Sequence, residues 1–373
     1  MPEATLGEEI PRPKGRTRAR SGRARARASE ALASPEDKTV PRVSVLLPVR
    51  DAALTVRAAA VSILRQTERD LSLVCVDDGS RDGTFEVLSR LAARDRRVRV
   101  IRGPGEGIAR ALERGRVLCD ADVVARMDAD DVAHPRRVER QLEALGADGS
   151  LSAVGGQVRL FPRRAVRAGM ARYAAWLNGL VTPELVERDL LVESPLVHPA
   201  ACIRSTALWG VGGWREGPFP EDYDLWLRLA AAGGRLKNLP ERVLDWRESP
   251  ARATRRDGRY ALPRHLALKC RHLADHLLGR GGEVVLWGAG RTGRAFADGL
   301  TAEGIGVRAF LEVDPAKIGR TVRGRAVRPF HEATRFRGTP LLVAVGAPGA
   351  REQIRDELRS MGFVELRDFR CVA

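Results

Sequence analysis

Three short acidic runs concentrate the reactive chemistry of this chain: Val76-Asp77-Asp78-Gly79-Ser80, Met127-Asp128-Ala129-Asp130-Asp131 and Pro220-Glu221-Asp222-Tyr223-Asp224. Each alone has an ordinary structural use. Asp78-Gly79 suits a turn, Asp131 a helix N-cap, and Glu221-Asp222 the first turn of a helix, where carboxylates complement exposed amide groups. Converging this many carboxylates costs free energy unless a cation or a hydrogen-bonding ligand offsets it. Mg2+ and Mn2+ favour carboxylate and phosphate oxygens and are commonly held by one or two acids plus a substrate's phosphates, a demand that Asp128-x-Asp130 meets.

The elements that must position these runs are legible from Val43 onward. Short β-branched runs at 43–49, 71–76, 98–102 and 123–127 alternate with helical periodicity near 54–65, 84–93, 108–117 and 136–145. That alternation predicts an α/β fold with a mixed, mainly parallel sheet and flanking helices. The acidic runs then fall at or just past strand carboxyl ends, where open α/β sheets bind ligands. A further strand is expected at 152–161, with helices at 172–180 and 222–231. Residues 251–281 read as an amphipathic helical connector with Leu262, Leu266, Leu273 and Leu277 on one stripe. A second α/β unit follows, with strands at 283–287, 307–311, 341–345 and 363–367. The expected organisation is a disordered Arg-rich tail at 1–40, a first domain at 41–250, the connector at 251–281 and a small Rossmann-like domain at 282–373.

A length of 373 residues exceeds what one hydrophobic core usually supports and suits two. Apolar residues at 44% and charged residues at 30% give a globular composition. The net charge of +16 raises nucleic-acid binding, but only five of the 64 basic residues are lysine, the arginines are spread along the chain, and 5% aromatics leave little surface for stacking bases. No nucleic-acid partner is expected. The five cysteines are far apart and form no CxxC pair, which indicates neither a disulfide framework nor a zinc site and suits a reducing cytosol. No run is long and apolar enough for a membrane span, and the first 30 residues lack a signal-peptide core.

The order and spacing of several pieces resemble the family 2 glycosyltransferases of the GT-A fold. They are the opening Val-Leu-Leu-Pro48-Val, the Val-Asp-Asp78-Gly-Ser turn, and Ala125-Arg126-Met127-Asp128-Ala129-Asp130-Asp131 before His134-Pro135. They continue with His198-Pro199, Gly212-Gly213-Trp214 and Glu221-Asp222-Tyr-Asp-Leu-Trp226-Leu-Arg228. The resemblance runs from about Val43 to Trp246. It implies an inverting, metal-dependent transfer of one sugar from a nucleotide-diphosphate-sugar donor to a hydroxyl acceptor, in bacterial cell-surface polysaccharide or glycoconjugate synthesis. Pro48, Asp51, Asp78, Arg126 and Asp128 would bind the donor, with Pro48 and Asp78 against base and ribose and Arg126 at the phosphates. Asp128 and Asp130 would hold Mn2+ or Mg2+. Asp222 would be the catalytic base, with Glu221 aligning the acceptor. His198, Trp214 and Trp226 are further candidates for metal or sugar contact, with core packing as the alternative. Arg50-Asp51 stands where the family often has an aromatic and Asn, and Glu113 where it often has Asn. The QxxRW signature of processive members is missing, so single transfers are expected.

The second unit holds Gly288-x-Gly290-x-x-Gly293 between a strand and a helix, with Glu312 nineteen residues after the last glycine. The spacing suits a nucleotide, NAD(P) or another, with pyrophosphate at the helix N-terminus and Glu312 accepting from a ribose hydroxyl; a scaffold is the alternative. The expected partners are a nucleotide-sugar donor and a sugar, lipid-linked glycan or protein acceptor. The tail, with eight basic residues from Pro11 to Arg27, suggests peripheral contact with an anionic inner membrane leaflet from the cytoplasm. Sugar nucleotidyltransferase and non-catalytic sugar-nucleotide sensor are the rival functions.

Overall fold

A computed structural model describes residues 40–250, 252, 255, 257–347 and 349–373. The expected tail, Val40 apart, lies outside the described residues. The chain opens with β1 (Val43–Val49), α1 (Val56–Leu64), β2 (Leu71–Asp77), α2 (Thr84–Ala92), β3 (Val98–Arg102), α3 (Ile108–Arg116) and β4 (Val123–Arg126). Every residue of β1 and β2 is buried, as strands covered on both faces require. Helix α1 supplies one cover, turning Val56, Ala59, Ala60 and Ile63 inward at helical spacing.

There follow β5 (Val132–Ala133), α4 (Arg137–Ala147), β6 (Leu151–Phe161), α5 (Ala168–Asn178), α6 (Pro183–Asp189), β7 (Cys202–Arg204), α7 (Ser205–Gly210), α8 (Glu221–Ala231) and β8 (Arg235–Arg247). The eight strands order as β3-β2-β1-β4-β7-β6-β8-β5. Strand β7 runs antiparallel to both β4 and β6, while β1, β2 and β4 are mutually parallel. Consequently β6 delivers its carboxyl end to the same edge as β1, β2 and β4. The long β8 pairs in parallel with β6 and carries Trp246 and Arg247 to that edge.

A helix α9 (Leu262–His272) passes into a π-helical turn, Leu273–Leu278. The wider turn takes Leu277 off the expected stripe, leaving it exposed while Leu273 is buried; Leu262, at the first position of α9, is exposed as well. The second sheet comprises β9 (Glu283–Trp287), β10 (Gly306–Glu312), β11 (Thr321–Val322), β12 (Arg325–Pro329), β13 (Leu341–Val343) and β14 (Phe369–Cys371), with α10 (Arg291–Ala302) and α11 (Ala350–Ser360). Its order is β11-β12-β10-β9-β13-β14, parallel except for β11. The strand expected at 363–367 is a loop instead. There Leu366 takes φ 71°, incompatible with an extended run, and the Asp368 carboxylate accepts the Val364 N–H at 2.8 Å. Strand β14 starts two residues beyond that loop's expected end.

The two sheets share apolar packing. Leu268, Cys270 and Leu273 from the α9 segment cluster with Leu190 and Leu225 on one side and Leu286, Phe296 and Phe310 on the other. Fully buried Arg355 pairs with Asp189 of α6 and, at 2.9 Å, with Glu365. Buried Lys269 donates to the carbonyls of Val192 at 2.7 Å and Val372 at 3.2 Å. Val40–Ala373 forms one compact unit.

Candidate active site

Beyond β4 the chain turns sharply and brings Asp128, Asp130 and Asp131 together, with one oxygen of each within 4.8 Å of the others. Asp131 Oδ1 accepts the Arg247 N–H at 2.7 Å, and its Oδ2 is buried with no hydrogen-bond partner among the described residues. Burial, then the charge on Asp128, pushes the Asp130 carboxyl up to about 6. Burial, followed by the charges on Asp128 and Asp130, also pushes the Asp131 carboxyl well above its ordinary range. Crowded, partly desolvated carboxylates with an orphaned oxygen fit a hard divalent cation, which restores the lost solvation. Asp131 was expected only as a helix cap, and it joins Asp128 and Asp130 in this cluster. Arg126, 1% exposed, pairs with Asp128, and its Nε has no hydrogen-bond partner. Arg247 Nε donates to the Asp130 carbonyl at 2.6 Å.

Across the same cleft, α8 begins with Glu221 and Asp222, where the first-turn amides favour negative charge. Trp214 Nε1–H donates to His198 Nε2 at 2.9 Å, so the neutral imidazole carries its proton on Nδ1, 3.5 Å from Glu221 Oε1. The Tyr260 hydroxyl donates to Glu221 Oε2 at 2.7 Å. Burial opposes charge on Glu221, but these two donors hold its carboxyl below the usual range. Both Glu221 oxygens are therefore engaged. Among the described residues Asp222 accepts only the adjacent Tyr223 N–H, at 2.8 Å, and burial together with the Glu221 charge pushes its carboxyl up. Of the two acids, Asp222 is the one with basic capacity to spare.

On the donor side Pro48, Asp51 and Asp78 line the cleft. Asp78 is buried, and its carboxylate accepts three backbone N–H groups, from Gly105 at 3.1 Å, Glu106 at 3.0 Å and Gly107 at 2.7 Å. It thereby shapes the loop before α3. Asp51 sits at φ 50° and accepts the Arg81 N–H at 2.8 Å. The cleft encloses about 970 Å³ and also receives Arg50, Arg126, Arg247, Arg252 and Arg259, a set of cations suited to phosphate oxygens.

Residues 44–210 match the family model described as Glycosyl transferase family 2. The matched segment, rather than the whole chain, carries that family's pattern. It is 28% identical over 241 residues to the EpsE protein of Bacillus subtilis, covering 62% of this chain and 83% of that one. It is 27% identical over 228 residues to the UDP-Gal:alpha-D-GlcNAc-diphosphoundecaprenol beta-1,3-galactosyltransferase of Escherichia coli, covering 60% and 80%. Among solved structures, S. aureus TarS 1-349 in complex with UDP-GlcNAc superposes with a TM-score of 0.52 at 15% identity, covering 64% of this chain and 68% of that one. The fold is GT-A-like.

In this glycosyltransferase several expected contacts take other partners. Trp214 and Trp226 are buried, so neither stacks on a sugar. His198 is locked between Trp214 and Glu221. Glu113 accepts the Trp214 N–H at 2.6 Å and anchors the Gly213 turn. Arg247, Arg252, Tyr260 and His265 line the cleft from beyond the family-matching segment. The sequence carried no local signal for them, because the connector's aim depends on where β8 ends. In the second unit, an added Cβ on Gly293 would overlap the Gly288 carbonyl oxygen, so that glycine serves helix-to-strand packing. Glu312, expected at a ribose, turns inward: Oε2 accepts the Ala289 N–H at 3.1 Å and Oε1 the Val313 N–H at 3.0 Å, while Lys317 pairs with it at 3.3 Å. That carboxylate closes the glycine turn. Gly290, with open space around it, is the remaining approach for a ligand.

Proposed function

We propose that this glycosyltransferase moves a single sugar, with inversion and with Mn2+ or Mg2+, from a nucleotide-diphosphate-sugar to a hydroxyl acceptor. The observation that carries the reading is one cleft shared by Asp78, Asp128, Asp130 and Asp222, with Asp131 clustered beside the middle pair. A divalent cation held by Asp128 and Asp130, with Asp131 beside them, would neutralise charge on the departing diphosphate. Arg126 and Arg247 bind phosphate oxygens from the protein side. Asp222 takes the acceptor hydroxyl's proton as its oxygen bonds the anomeric carbon, and the bond from that carbon to the diphosphate oxygen breaks on the opposite face. Glu221, with both oxygens engaged, is a positioning group that raises the basicity of Asp222. We place the reaction in cell-surface polysaccharide or glycoconjugate synthesis; the Escherichia coli relative, whose name specifies UDP-Gal and a diphosphoundecaprenol-linked acceptor, supports a nucleotide-sugar donor and a lipid-linked glycan acceptor. The Gly288–Gly293 turn we read as scaffold.

The test is a thermal-shift screen of sugar nucleotides with and without Mn2+. One donor class should raise the Tm only with metal, and Asp130→Asn should abolish the rise. Asp222→Asn should keep the donor shift yet release no nucleoside diphosphate in the presence of acceptor. Full turnover by that variant would remove Asp222 as the base.

A further inference from the structure

From Gly149 to Pro183 the chain contains no acidic residue and five arginines. Arg159 is paired with Asp245 at 2.6 Å. Arg163, Arg164, Arg167 and Arg172 are all exposed, and none forms an ion pair among the described residues. What sets these four apart is that they follow one another along a stretch with no acidic residue. The unpaired four occupy the turn after β6 and the exposed face of α5, beyond the carboxyl end of β6. That is the edge at which the catalytic cleft opens, and Gly169, Met170 and Tyr173 of α5 line the cleft itself.

The loop after β1 projects from the same edge. Its Leu54 is 100% exposed, an unusual place for a large aliphatic side chain, and Arg57 stands exposed one turn on. The acids of this loop do not pair with these arginines among the described residues: Asp51 lies 3.8 Å from Arg50, and Asp82 accepts the Ala53 and Thr84 N–H groups, each at 3.0 Å. The mouth of the cleft thus combines uncompensated guanidinium groups with an aliphatic tip.

We infer that this face, formed by Leu54, Arg57, Arg163, Arg164, Arg167 and Arg172, docks on an anionic lipid surface and presents the cleft to acceptors held there. Guanidinium groups complement headgroup phosphates, and an exposed leucine beside them enters the boundary between headgroups and acyl chains. A nucleic acid is the poorer fit, because base stacking needs open aromatic faces. The aromatic residues of α5, Tyr173 and Trp176, are half-buried, with the Tyr173 hydroxyl donating to the Ser194 carbonyl at 2.8 Å and Trp176 Nε1–H to Asp189 at 3.1 Å. The inference needs only the position of the cleft mouth and is independent of the roles assigned to Asp130 and Asp222.

Co-sedimentation of the full chain with phosphatidylglycerol/phosphatidylcholine vesicles, against pure phosphatidylcholine, tests it. Two triple reversals of identical charge are compared: Arg163→Glu with Arg164→Glu and Arg167→Glu, and Arg90→Glu with Arg94→Glu and Arg96→Glu. The second set is also exposed but lies at the amino end of β3, away from the cleft edge. Each basic group near an anionic surface multiplies binding by about fivefold. The first triple should therefore lose at least about a hundredfold in partition, and the second less than about tenfold. The five native cysteines are all buried, so Leu54→Cys carrying a solvatochromic dye reports that position alone. Its emission should shift to the blue on phosphatidylglycerol vesicles and stay unchanged on neutral ones. Equal losses from the two triples, no loss from either, no emission shift, or binding to duplex nucleic acid without binding to vesicles would each overturn the inference.

Discussion

The contact between Arg355 and Asp189 offers a measure of how firmly the second sheet is tied to the catalytic one. Arg355 is fully buried and Asp189 is 1% exposed, so replacing the guanidinium with the neutral, similarly long side chain of Arg355→Met strands a buried carboxylate. Removing one partner of such a pair costs about 3–5 kcal/mol, because the remaining charge cannot recover its hydration. The lower end applies here. Asp189 keeps Arg188 at 3.0 Å and Trp176 Nε1–H at 3.1 Å, and Glu365 keeps Arg359 at 3.4 Å. Glu352, the third partner, is 63% exposed and loses little. For the compact unit Val40–Ala373, unfolding entropy scales to about 0.7 kcal/mol/K, so a loss of about 3 kcal/mol lowers Tm by about 4 °C. Urea unfolding followed by tryptophan fluorescence and by calorimetry checks both figures. Adding Asp189→Asn to Arg355→Met should recover about 1–3 kcal/mol relative to the sum of the single changes. A loss below about 1 kcal/mol, or strict additivity, refutes the view that this ion pair is a buried, coupled link.

Three further outcomes are expected. Burial, then His276, lowers His272 from 6.5 to about 4; between those pH values the unfolded chain binds the extra proton, so stability falls as pH drops from about 6.5 to about 4 and is level below. The loss amounts to at most about 3 kcal/mol, and in a pH series of melts His272→Gln should flatten it. Tyr260→Phe leaves a buried Glu221 oxygen unpaired, a loss of about 1.5–3 kcal/mol that should lower kcat by roughly tenfold or more with the donor KM unchanged. A raised donor KM at full kcat would instead make Tyr260 a donor contact. Gly293→Ala forces a methyl into the Gly288 carbonyl and should cost about 3 kcal/mol, the upper end for overpacking, in a denaturant titration; a near-neutral result would show that the turn has room to move.

The sequence by itself determined the first βαβ layer and the metal-cluster candidate, because both are local. Strands β1, β2 and β4 are largely apolar runs buried on both faces, and Asp128 and Asp130 lie two residues apart just past the end of such a run, where no distant contact is needed to bring them together. It also marked Asp222 through its place at a helix start. Only the tertiary structure decided which acid of the Glu221-Asp222 pair is free, since that depends on Trp214, His198 and Tyr260, brought from both sides of α8 in the chain. The same holds for Glu312, whose carboxylate is consumed by the glycine turn it was expected to serve, and for Asp131, one oxygen of which is taken by the Arg247 N–H at the far end of β8 while the other is left buried and unpaired among the described residues. The stripe Leu262 to Leu277 and the strand at 363–367 misled for a related reason. A π-helical turn and a left-handed Leu366 alter the backbone period, and apolar spacing carries no record of either.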